Sequence, residues 1–253
     1  NEQEFIKAVA EGGIITLQND ITLTQIAVIT EGNTVLDRNG HTITSSAQRA
    51  INVSGATEAT IKNLNIVATG ERAINIIQNT SKVNIENVTA TAANYTVNVA
   101  GSSNNTVVAI KESTLNGLCT VNVAGAGAQV TLDGCTVNCN DNNTTAGESY
   151  AALSLNKDAV GGSINGTFKN CKFTGKNALR YTYAGETVVF ENCEFSGSTY
   201  GIHFDGGAND VIFRNCVFSG FNAFAGDLVK TTFNHCTFEH NGSYGHTNIW
   251  SVA

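Results

Sequence analysis

The hexapeptide FKNCKF at 168–173 returns as FENCEF at 190–195, FRNCVF at 213–218 and FNHCTF at 233–238. The same register extends back through the chain. The apolar residues that open successive units are Leu36, Ile61, Ile85, Ile110, Leu132, Phe168, Phe190, Phe213 and Phe233, at steps of 25, 24, 25, 22, 36, 22, 23 and 20 residues. Four of the units, those opening at 61, 85, 168 and 190, read apolar–polar–Asn–apolar–polar–apolar, as in IKNLNI and IENVTA. A second strand signal follows about ten to fifteen residues later, at AINV 50–53, AINI 73–76 and TVNV 96–99 and 120–123, and continues as AALSL 151–155, ALRY 178–181 and GIHF 201–204. Short period-two strands separated by Gly, Asn and Ser turns, repeating at this interval, indicate a parallel β-solenoid. Nine coils at ~4.8 Å each make a rod roughly 40 Å long.

The residue after each opening position tests the register independently. It runs Asp37, Lys62, Glu86, Lys111, Asp133, Lys169, Glu191, Arg214, Asn234. In stacked parallel strands these side chains are neighbours, so opposite signs attract and like signs are penalised. The alternation, unbroken through the first eight coils, suits an in-register stack and not a β-sandwich. It also cancels its own field, which argues against a charged binding stripe. Asn63, Asn87, Asn170, Asn192 and Asn215 share the next position, where amides can bond from coil to coil at a bend.

The whole of 1–253 is therefore expected as one all-β domain. Residues 1–13 form an N-terminal cap, because EQEFIKAVAE at 2–11 places Phe5, Ile6 and Val9 on one helical face and Gly12-Gly13 follow. The long step from Leu132 to Phe168 implies an insertion at 139–162, where functional loops of solenoids project. NIWSVA at 248–253 resembles the start of another strand, so the C-terminal edge is expected to continue or to support end-to-end or oligomeric association.

Chemistry is sparse. A formal net charge of −7 argues against nucleic acid as a partner, and no apolar run is long enough to span a membrane. The seven cysteines contain no CxxC pair, so a zinc site is not expected. Cys171, Cys193, Cys216 and Cys236, with Cys135, take the slot of Leu64 and Val88 between two outward residues, which makes them inward-facing core thiols. Along the second strand the outward position reads Asn52, Asn75, Asn98, Asn122, Ser154, Arg180, His203. Arg180, His203 and Asp205 are the candidate catalytic group: a His beside a carboxylate can act as a general base, and an Arg can hold a uronate carboxylate. Tyr183, Glu186 and Asp210 fall in the adjoining turn. Arg180, His203, Tyr181 and Tyr183 are the candidate ligand contacts, since the tyrosines and Trp250 concentrate in the second half and exposed rings can stack on sugars. Asp141 and Glu148 are the only calcium candidates, without the DxDxDG spacing; no other cofactor is expected.

The opening block GGIITLQNDITLT followed by VLDRNGHTIT resembles the start of right-handed parallel β-helix proteins of the pectin-lyase-like superfamily. The later FKNCKF and FENCEF blocks look like β-helix repeat proteins of gut bacteria. The resemblance implies a right-handed, single-stranded parallel β-helix that is secreted or displayed on a cell surface, with an extracellular glycan or a host surface as partner. The superfold hosts lyases, hydrolases, tailspikes and adhesins, so it leaves function open. The clustered aspartates and Gly-His-Gly turn of polygalacturonases do not occur here. Two expectations follow: a non-catalytic adhesion or glycan-recognition module, or rigid spacer; and, as the alternatives, a polysaccharide lyase or hydrolase acting on an acidic glycan, or a fragment of a fibre.

Overall fold

A computed structural model describes residues 1–37, 39–140, 150–155, 164–181, 187–204, 210–225 and 231–240. Within them the chain winds as a parallel β-solenoid in which each rung carries up to three short arms. The first arms form a ten-stranded sheet. Nine of its strands are those opened by the repeat residues, from Thr34–Asp37 to Thr231–Asn234, and Ile14–Thr16 adds one below them. The second and third arms belong to one sixteen-stranded sheet. They are separate strands in the early rungs, such as Asn65–Ala68 and Arg72–Ile77. From Lys172–Tyr181 onward they fuse into single long strands, continued by Glu194–Phe204 and Val217–Ala225.

Register follows the charge column. Asp37 pairs with Lys62, Lys62 with Glu86, Glu86 with Lys111, Lys111 with Asp133, Asp133 with Lys169, Lys169 with Glu191, and Glu191 with Arg214. Ion pairs close at Lys62–Asp37, 3.2 Å, and Lys169–Glu191, 3.4 Å. Being surface pairs, each is worth well under ~1 kcal/mol; their role is to penalise a slipped register.

The bend after the first arm needs a left-handed residue, and the repeat supplies one. Asn63, Asn87, Asn170, Asn192 and Asn215 all have φ between 51° and 54°, a region Asn tolerates better than other non-glycine residues. Their side chains also tie the rungs. Asn87 Nδ2 donates to Asn63 Oδ1 at 3.0 Å, and Asn63 Nδ2 to Asp37 Oδ1 at 2.9 Å. Later, Asn215 donates to Asn192, Asn192 to Asn170, and Asn170 to Asp133. The Asn63 amide, ahead of the Lys62 ammonium, holds the Asp37 carboxyl below the usual carboxylate range.

Inside, two phenylalanine columns fill the later rungs. Phe168, Phe190, Phe213 and Phe233 stack at 4.6, 5.0 and 5.2 Å, and Phe173, Phe195, Phe218 and Phe238 at 5.3, 5.0 and 5.0 Å. The columns meet edge to face, as at Phe190–Phe195, 5.2 Å, the arrangement the ring quadrupole favours. Between them run the cysteines. Cys135, Cys171, Cys193 and Cys216 are buried, and each thiol donates to the carbonyl two residues back, as Cys171 Sγ does to Lys169 O at 3.0 Å. Ser113 makes the same bond in the rung below. The thiols thus occupy core positions. Denatured protein is expected to titrate seven free thiols, whereas in the native state Cys236, which is only half-buried, should react ahead of its buried neighbours. Two or three disulfides in the titration would contradict this packing.

At the N-terminal end, helix Glu2–Glu11 covers the first rung with Phe5 and Val9 buried. Asn1 and Glu4 form a reciprocal capping box. The Glu2 carboxylate accepts from the backbone N–H groups of Thr24 and Gln25 and pins the helix to the solenoid. Gly12, at φ 76°, ends it where any Cβ would lie 2.6 Å from Glu31 Cβ. The insertion expected at 139–162 is not continuous: Ala151–Leu155 within it is a regular third arm, pairing with Val121–Val123 and Lys172–Tyr181.

Candidate functional site

The third arms bring Asn52, Asn75, Asn98, Asn122, Ser154, Arg180 and His203 into one register column. Alternating residues on the same strands, among them Ile51, Ile74, Val97, Val121, Leu153 and Leu179, face the core. The asparagines, expected on an outward face, are instead buried at 8, 1, 4 and 6% exposure. Each Nδ2 donates to the Oδ1 of the rung before, at 3.0 Å for Asn75 to Asn52 and 2.8 Å for both Asn98 to Asn75 and Asn122 to Asn98. Closing amide on amide satisfies the groups without water, which is what permits their burial.

Residues at the start of the third arm help cover this ladder. Arg72 Nη1 donates to Asn75 Oδ1 at 3.0 Å, while its Nε and Nη2 reach Glu71 Oε1 at 3.0 and 2.9 Å. Its guanidinium lies over the Tyr95 ring, 5.0 Å from the centroid. Sequence reasoning passed over Arg49, Arg72 and Tyr95. The available signal was the exact repetition of RAIN at 49–52 and 72–75.

The ladder ends at Ser154, and the column then changes character. Arg180 and His203 are Cα partners on adjacent rungs and both are partly exposed. The Tyr200 ring lies 5.0 Å from the His203 ring. Burial pushes the Cys119 thiol from the ordinary 9.0 up to about 12, and Ser154 and Arg180 lie close enough to moderate that shift. Cys119 is a buried neighbour of the site whose thiol is held in the neutral form.

Other expected site residues fare differently. Tyr181 is 1% exposed and pairs with Leu155 on the inward side. Its ring is core and presents no face to a ligand. The reason is parity: Arg180 and Tyr181 are consecutive in an extended strand and point to opposite faces. Asp205, Tyr183, Glu186, Asp141, Glu148 and the C-terminal NIWSVA lie outside the described residues. Asp210 precedes the first arm Val211–Arg214, and its carbonyl accepts from Val188 N–H at 3.2 Å. Among the described residues no cluster of three or more His, Cys, Asp or Glu side chains is placed to hold a metal ion, and no helix is long and apolar enough to cross a membrane.

A family model described as a right-handed beta helix region matches residues 110–252, more than half of the chain and the portion carrying the FxNC rungs. The chain is a right-handed β-helix protein. No curated protein and no solved structure matches it. The family thus accounts for the rungs of this β-helix, and its function has to be sought in side chains that depart from the repeat. Arg180 and His203 are such departures.

Proposed function

We propose that this β-helix is an extracellular recognition module that binds an acidic glycan on its third-arm face, at Arg180 and His203. One observation carries the reading: a buried, self-satisfied Asn ladder gives way, in the same register column, to two partly exposed basic side chains with a tyrosine ring beside them. The arginine supplies a planar donor pair for a carboxylate. His203 and Tyr200 supply a polar edge and an apolar face for a pyranose ring. The solenoid beneath holds these groups at fixed spacing, so little ordering is needed on binding.

Binding of oligouronates and neutral oligosaccharides of equal length, measured by calorimetry, tests the reading. Wild-type protein is expected to prefer the oligouronate, and Arg180→Ala to weaken it about tenfold or more, the loss of one charge-assisted contact. His203→Ala should weaken it less. Equal affinity for the two glycans, or an unchanged Arg180→Ala variant, would overturn the assignment.

A second reading, a lyase acting on the same class of glycan, draws on the adjacency of Arg180 and His203. An arginine can neutralise the uronate carboxylate while the adjacent imidazole takes the C5 proton; the electron pair then forms the C4–C5 double bond and expels the glycosidic oxygen, which takes a proton from water. Formation of an unsaturated, ultraviolet-absorbing product, lost in His203→Ala, would favour it over binding alone.

A further inference from the structure

Elsewhere in the described structure, ion pairs between neighbouring rungs join opposite charges. The first-arm column alternates sign, and Lys82–Glu58 at 2.9 Å and Lys172–Glu194 at 3.0 Å pair across rungs elsewhere. Arg49 and Arg72 break the rule, because they are Cα partners in register on the second and third rungs. Two cations at the ~4.8 Å rung spacing repel each other unless an anion lies between or beside them.

The protein offsets only half of this charge. Glu71 takes two donors of Arg72, and the Asn75 carbonyl and the Tyr95 ring fix that guanidinium in place. Arg49 has no ion pair among the described residues. Its Nη1 reaches the neutral Gln48 Oε1 at 3.1 Å, and its Nε is buried with no hydrogen-bond partner. A guanidinium carries five donors, and leaving a buried one unmade is costly. A second orphan lies close by. Gln48, Glu71 and Asn94 stack in the bend that leads into these strands, where Arg72 N–H bonds to Gln48 O and Asn94 N–H to Glu71 O. The Asn94 Oδ1, next to Tyr95, is also buried without a partner. One place therefore holds unmet donors on a cation and, two rungs along, an unmet acceptor.

We propose that Arg49 and Arg72 form a separate oxyanion site, which takes a carboxylate or sulfate-ester group on a hydroxyl-bearing ligand such as a sugar. The oxyanion lies against the two guanidinium groups, and a ligand hydroxyl donates to Asn94 Oδ1. Arg72, held by Glu71, Asn75 and Tyr95, is the preorganised half; Arg49 is the half left open. Arg72 stands four rungs from Arg180, ~19 Å along the axis, and the site does not depend on the role assigned to Arg180.

Calorimetry on the whole chain, with a sulfated disaccharide, a uronate disaccharide and inorganic sulfate, tests the site. These probes are too short to bridge to Arg180. At least one disaccharide is expected to bind, more weakly as salt rises, and Arg49→Gln to weaken it about tenfold or more with an unchanged melting temperature. Arg72→Gln should weaken it as well, and Arg180→Ala should leave it intact. Preference for one disaccharide identifies the oxyanion as sulfate ester or carboxylate. Inorganic sulfate binding as tightly as the sulfated disaccharide would overturn the Asn94 contact. No binding by any probe, or equal affinity in wild type and Arg49→Gln, would overturn the site. Loss in Arg180→Ala alone would overturn it while leaving the Arg180 reading in place.

Discussion

Replacing Phe190 by alanine is expected to lower stability by about 3–5 kcal/mol, the range for deleting a fully buried aromatic ring. Phe190 is 0% exposed and touches rings on every side. It stacks on Phe168 at 4.6 Å and Phe213 at 5.0 Å, and meets Phe173 and Phe195 edge to face at 6.3 and 5.2 Å. The neighbours cannot close the gap, since each is held at the rung spacing by its own strand pairing. The void therefore persists, and with it the loss of contacts. Phe190→Leu should cost distinctly less, because most of the volume remains. Urea unfolding followed by circular dichroism reads both. A midpoint shift for Phe190→Ala no larger than that of the exposed substitution Thr91→Ala would show that the ring column does not hold the later rungs together.

The second large effect is expected at Asn98. Asn98→Ala removes the donor to Asn75 Oδ1 and the acceptor of Asn122 Nδ2. Asn75 Oδ1 keeps Arg72, but Asn122 Nδ2 loses its Asn98 acceptor at 6% exposure. The lost buried hydrogen bonds and a small void together cost about 2–4 kcal/mol. The contrast is Asn192→Ala in the exposed bend ladder. There water replaces the lost partners, and the cost is mainly the left-handed φ of 54°, about 1–2 kcal/mol for a residue with a Cβ. Asn192→Gly should recover most of that loss, whereas Asn98→Gly should not recover the loss at Asn98. Thermal unfolding of the four variants separates the two ladders; equal losses at 98 and 192 would mean that burial of the third-arm amides adds nothing.

These two ladders also show where the sequence was legible. The bend ladder was, because Asn recurs at a fixed offset from an apolar residue and beside a charge that alternates in sign. Asp37 through Arg214 could be placed in register from sign alone, and the pairing follows that register. The third-arm ladder was legible in position but not in burial. A row of Asn between apolar residues satisfies the same alternation whether water or a neighbouring amide meets it, and only the closure by groups such as Arg72 decides between them. Tyr181 could have been placed by parity with Leu179, but residue type drew it into the candidate site. Arg49 and Arg72 were hidden for a different reason. Their significance is a violation of sign alternation, and it appears only once the strands on which they sit are known to be neighbours.

The amide ladders share one orientation. Asn75, Asn98 and Asn122, like Asn87, Asn192 and Asn215, each donate a hydrogen bond to the rung before, and Asn138 does the same to Asn116. Wherever a ladder runs, its newest rung therefore presents an oxygen that can accept from the next side chain, while the helix at residues 2–11 covers the first rung. Such a chain has an arrow. As it leaves a ribosome, a completed rung is already the template for the one that follows, and the molecule can be laid down in the order in which it is made.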